Sequence, residues 1–232
     1  MNSRTIALWR TGLVLGLCLG LWACASAPGG DASQQPLTVG TTEPTDGQRR
    51  AQIRLELAAA FLENNQPAVA LEEANRAVQA DPNLAAAHNL RGLVLMQLNE
   101  FALAEQSLQQ ALRLAPRDGD SWHNLGWLHC QQQRFAEATQ AFDRALQTPQ
   151  YQGAGRTWML RGVCQARAGQ MQAAEQSLMR AFEIEPGNPI TLYNLAAMLH
   201  QRGNSERARF YLRRLNNSEA ANAESLDRKS VV

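Results

Sequence analysis

A chain of 232 residues that is 45% hydrophobic and 19% charged has the balance of a globular protein, not a disordered one. Its 22 basic and 21 acidic residues give a net charge of +1. Without the segment carrying Arg4 and Arg10 the count is 20 against 21, so the footprint of a nucleic-acid binder is missing.

Residues 1–23 predict a targeting segment. Arg4 and Arg10 precede an apolar run over 11–23, shorter than the roughly 20 residues that span a bilayer. It reads as a secretory signal, with a signal anchor as the alternative. Leu21-Trp22-Ala23-Cys24 resembles a bacterial lipobox, although −2 is usually small or β-branched; Cys18 follows Leu17, a poor cleavage site. The resemblance implies a lipidated Cys24, and Ala25 in place of aspartate implies the outer membrane. Two or more acyl chains hold a protein stably on a bilayer. Residues 24–47 are rich in Gly, Pro, Ser and Thr without apolar periodicity. They predict a tether with a reach on the order of 25 Å.

Beyond the tether the sequence repeats every 34 residues, within a domain over 48–217. Units fall at 51–84, 85–118, 119–154, 155–188 and 189–217, the third lengthened by a two-residue insertion within 149–156. The eighth position is small in every copy: Ala58, Gly92, Gly126, Gly162 and Ala196. So is the twentieth: Ala70, Ala104, Ala138, Ala174 and Ala208. The twenty-seventh is Ala77, Ala111, Ala145 and Ala181, then Leu215. A bulky core residue is expected at the twenty-fourth, at Leu108, Phe142, Leu178 and Leu212, with the smaller Ala74 in the first copy. Pro82, Pro116 and Pro186 stop the second helix of their units.

These offsets resemble the tetratricopeptide repeat. The resemblance implies an all-α fold, a right-handed superhelix (α-solenoid) of about five helix–turn–helix units whose concave face is lined by the first helices. Each unit has an apolar face that only its neighbours cover. Concave positions in this repeat correspond to Leu55, Ala59, Leu62, Asn89, Leu93, Met96, His123, Trp127, Cys130, Met159, Val163, Tyr193 and Ala197. Asn89, Asn124 and Asn194 lie near enough to bond a partner backbone. Such a lining suits an amphipathic helix or an apolar peptide; the alternative is that these residues pack between neighbouring first helices. Arg91, Arg156 and Arg167 are scattered, which argues against a clamp for acidic C-termini.

Catalytic and phosphate-binding motifs are missing, and His88, His123, His129 and His200 are spread without metal-ligand spacing. No enzyme activity, cofactor, metal or small-molecule substrate is expected. Cys130 and Cys164 fall at the twelfth and tenth positions of adjacent first helices. Those positions point differently, so free buried thiols are expected, with a disulfide as the alternative.

A lipobox, a short tether and these repeats together resemble the type IV pilus biogenesis/stability lipoproteins, the PilF/PilW-type pilotins. The segment FDRALQTPQYQGAGRTWMLRG (142–162), with Trp158 at a fourth position, and the ending YLRRLNNSEAANAESL are similar to that family. The resemblance implies a lipid-anchored protein on the periplasmic face of the outer membrane that binds the pilus secretin. Another outer-membrane repeat adaptor is the alternative. The family usually carries six units. The tail at 218–232 closes with Asp227–Val232, which reads like a translated sequencing adapter, and Lys229 is the sole lysine beside 21 arginines. The expectation is that the native chain continues past Leu226 differently.

Overall fold

Helix ends are specified locally, by a left-handed residue after the first helix of every unit and by a proline after the second helix of units one, two and four. In the computed structural model, which describes residues 43–230 with side chains to Asn217, the result is ten helices. They are α1 Asp46–Glu63, α2 Pro67–Ala80, α3 Ala85–Gln97, α4 Phe101–Leu114, α5 Gly119–Gln131, α6 Phe135–Leu146, α7 Ala154–Arg167, α8 Met171–Ile184, α9 Pro189–Gln201 and α10 Ser205–Ser230. No strand occurs among the described residues. Consecutive helices pair into five hairpins that stack as an all-α superhelix. The signal segment, Cys24 and most of the tether lie outside the described residues, as do the side chains of the tail.

The fifteenth position of each unit carries a positive φ: Asn65 at 55°, Asn99 at 62°, Gln133 at 61°, and Gly169 and Gly203 at 76°. Two backbone bonds close each of these turns, as in Asn65 N–H to Leu62 C=O at 3.0 Å and Gln66 N–H to Phe61 C=O at 2.8 Å. This is a Schellman motif, which favours Gly and tolerates Asn. Gln133 is the misfit. Gln133→Gly is expected to stabilise the protein by about 1 kcal/mol, seen as a higher urea midpoint. An unchanged or lower midpoint contradicts that expectation.

The residue before proline is driven out of the helical region by the pyrrolidine ring. Accordingly Asp81, Ala115 and Glu185 end their helices at ψ 97°, 81° and 76°. The third unit has no proline at that place, and Gln147 stays helical at ψ −8°. Its two-residue insertion brings in Tyr151, whose ring fills the junction. A Cβ on Gly119 would lie 2.5 Å from Tyr151 Cδ2, so glycine is needed there.

Within the second, third and fourth hairpins the small eighth residue lets a bulky side chain close over it. A Cβ at Gly92, Gly126 or Gly162 would come within 2.6–2.7 Å of Leu108, Phe142 or Leu178 respectively. All three bulky residues are buried. The expectation fails at the twenty-fourth position of the last unit. Leu212 is 42% exposed, and its neighbour Tyr211 is buried at 5%. The eighth position of this unit is Ala196, buried at 2%, where units two to four have glycine. The Tyr211 ring instead turns edge-on to Phe182, 5.5 Å away, and its hydroxyl donates to Met179 Sδ at 3.2 Å.

Candidate partner-binding groove

The first helices α1, α3, α5, α7 and α9 pack side by side along the superhelix. Leu55, Ala59 and Leu62 on α1, Asn89 and Leu93 on α3, Asn124 and Trp127 on α5, Val163 on α7 and Asn194 on α9 are half-buried, so each keeps part of its surface open. Tyr193 is 61% exposed. Met96 and Met159 are different: at 4% and 7% exposure they belong to the hydrophobic core. They support the groove from behind and offer little surface to a partner. His123 and Cys130 are buried as well.

Two of the asparagines bond each other across the scaffold, and the third bonds within its own helix. Asn124 Nδ2 donates to Asn89 Oδ1 at 2.9 Å, linking α3 to α5, and Asn194 Nδ2 donates to the Ile190 carbonyl at 2.8 Å. The Arg167 guanidinium lies 5.2 Å over the Trp127 ring. This cation–π contact places a positive charge against the largest apolar side chain of the groove. Sequence reading placed Trp127 in the lining but gave Arg167 no role, since the two are brought together only by the α5–α7 contact. Another bridge between the same helices joins Arg156 Nη2 to Asp120 Oδ1 at 2.9 Å.

A buried polar cluster sits under the third junction. Thr157 Oγ1 donates to the Gly153 carbonyl at 3.0 Å. A hydroxyl has one proton, so the same oxygen accepts from His123 Nδ1 at 2.7 Å and from the Tyr151 hydroxyl at 3.0 Å. His123 is thereby held as the neutral Nδ1–H tautomer. Burial, with Arg156 adding to it, lowers its pKa to about 3.

The unfolded chain takes up that proton near the ordinary value of about 6.5. Between about pH 6.5 and 3 the unfolded state therefore binds more protons, and stability falls as pH falls. The slope approaches about 1.4 kcal/mol per pH unit for this one group. Urea midpoints measured from pH 7 to 4.5 should fall less steeply in His123→Gln than in the parent. Parallel curves would assign the acid sensitivity elsewhere.

Cys130 and Cys164 form a disulfide, with Cα atoms 5.7 Å apart. The expectation of free thiols is corrected. Two residues turn a helix by about 200°, so the twelfth and tenth positions do point in nearly opposite directions. Adjacent first helices, however, run parallel and meet through opposite flanks. Opposite directions are therefore what brings the two sulfurs together. His123 and Thr157 meet by the same rule, also 34 residues apart.

Tetratricopeptide repeat models match residues 55–119, 89–155, 155–188 and 177–210. The chain belongs to the tetratricopeptide repeat family. It is homologous to the type IV pilus assembly protein PilF of Pseudomonas aeruginosa, at 26% identity over 217 residues, 94% of this chain and 83% of PilF. A Haemophilus influenzae protein without an assigned function is 29% identical over 138 residues, 60% of this chain and 77% of its own. The crystal structure of PilW, a widely conserved type IV pilus biogenesis factor, superposes with a TM-score of 0.69 at 26% identity, covering 73% of this chain and 78% of PilW.

Tetratricopeptide repeats are protein-interaction scaffolds, and this one matches proteins of type IV pilus biogenesis. Among the described residues no three His, Cys, Asp or Glu side chains gather as a metal site. No described helix is long and apolar enough to cross a membrane.

Proposed function

We propose that this chain is a pilotin, an outer-membrane lipoprotein that binds the type IV pilus secretin and promotes its localisation and multimerisation. Lipid on Cys24 supplies the address on the periplasmic face, and residues 24–47 give the reach. The repeat domain holds a secretin segment in the groove between Leu55 and Tyr193 and catalyses no reaction. Similarity to PilF along 94% of the chain is the observation that carries this reading.

The chemistry of the groove is consistent with it. Leu55, Leu62, Leu93, Trp127 and Val163 offer apolar surface, and Tyr193 adds an amphipathic ring at the far end. An amphipathic helix or an apolar strand of a protein partner would bury these side chains together.

The test is a chromosomal deletion, followed by membrane fractionation and a blot for heat-stable secretin multimers. Multimers should leave the outer-membrane fraction and twitching should stop. The wild-type gene should restore both, whereas Cys24→Ala and the groove pair Leu93→Glu/Trp127→Ala should not. The groove pair must first keep its helical circular dichroism. Normal multimers and intact twitching in the deletion would remove the pilus reading.

A further inference from the structure

Away from the groove, the end of α6 and the turn before α5 enclose a depression of about 340 Å³. Pro116, Arg117, Trp122, Arg144, Thr148 and Pro149 line it, and no acidic side chain does. Arginine recurs at the twenty-sixth position of four units, as Arg76, Arg144, Arg180 and Arg214. Three of the four are engaged. Arg76 is bound by Glu72 and Glu73, and Arg180 Nη1 pairs with Glu183 at 2.7 Å. Arg214 donates from Nε to the Pro186 carbonyl at 3.2 Å and lies over Phe182.

Arg144 has no such partner among the described residues, and its sequence neighbours explain why. Gln140 and Ala141 stand where Arg76 has its glutamates, and Gln147 stands where Arg180 has Glu183. The carbonyl equivalent to that of Pro186 belongs to Pro116, and Trp122 Nε1 already donates to it at 3.0 Å. Arg117, in the turn beside it, is exposed and likewise without an ion pair among the described residues. Two uncompensated guanidiniums thus share one small depression with an indole and two prolines.

We propose that this depression binds a carboxylate-bearing segment of a protein partner. Arg117 and Arg144 take the carboxylate, and Trp122 with Pro116 and Pro149 cover the apolar residue beside it. Guanidinium groups match the two oxygens of a carboxylate in bidentate geometry. The apolar walls select a polypeptide over a free inorganic anion, which would leave them uncovered. Apart from Trp122, in the first turn of α5, the lining lies in the turns and at the end of α6, and none of the groove residues belongs to it, so the site does not depend on what fills that groove.

Fluorescence anisotropy of a labelled ten-residue Glu-Pro alternating peptide, titrated with the full-length protein in detergent at low salt, tests this. The peptide should bind, and its Gln-Pro counterpart should bind at least tenfold more weakly. Arg117→Glu/Arg144→Glu should weaken binding at least tenfold with unchanged circular dichroism and melting temperature. Arg209→Glu/Arg213→Glu, with the same charge change elsewhere, should leave it intact. Equal loss in both double variants would reduce the effect to net charge and overturn the proposal. Displacement of the peptide by inorganic phosphate at matched ionic strength would make this a phosphate site and overturn it too, as would equal binding of the two peptides.

Discussion

Cys130→Ala/Cys164→Ala is expected to lower stability by about 4 kcal/mol, from the entropy that the cross-link removes from the unfolded chain. The bridge spans 34 residues and ties α5 to α7. It crosses the one junction where the unit is lengthened, where Tyr151 fills the gap and the helix-stopping proline is displaced. In a linear array each unit is stabilised by its neighbours. Loosening this interface should therefore uncouple units one to three from units four and five. Urea unfolding should shift to lower midpoint and broaden, and the melting temperature should drop by about 8–15 °C. Alkylation without reductant should leave both cysteines of the parent unmodified. Matching midpoints for parent and variant would show that the bridge adds nothing.

Phe142→Ala should cost a similar amount, about 3–5 kcal/mol, because the ring is fully buried and its loss leaves a cavity. The informative partner is Gly126. Its absent Cβ would sit 2.7 Å from Phe142 Cδ1. In the parent, Gly126→Ala gains up to about 1 kcal/mol of helix propensity but should still destabilise, since overpacking costs about 1–3 kcal/mol. In the Phe142→Ala background the clash is gone, and the same substitution should become stabilising. Unit one already holds this combination, with Ala58 facing Ala74, both fully buried. A double-mutant cycle on urea midpoints reads the coupling directly. Additive effects would mean that the ring and the glycine do not meet.

Much of the fold was legible from periodicity, for a specific reason. The small residues at Gly92, Gly126 and Gly162 face Leu108, Phe142 and Leu178 within one hairpin, and a hairpin's geometry follows from the spacing of its two helices along the chain. Helix ends were equally local. Pro82, Pro116 and Pro186 act on the residue before them. The positive φ at the fifteenth position was readable in principle from Asn65, Asn99, Gly169 and Gly203, although Gln133 hid the pattern in the third unit.

The sequence by itself determined the helix pairs, their order and the small residues on which they cross, because those depend on contacts within a unit. Only the tertiary structure decided which groups meet between units. Cys130 finds Cys164, His123 finds Thr157, and Arg167 covers Trp127 across α5 and α7. Packing between neighbouring helices likewise draws Met96 and Met159 into the core and leaves Tyr193 outside. Each of these outcomes depends on the sideways offset between parallel first helices, through which opposite flanks come face to face. That offset is set jointly by the packing of both hairpins and, at the third junction, by the ring of Tyr151, so no spacing within a single helix contains it.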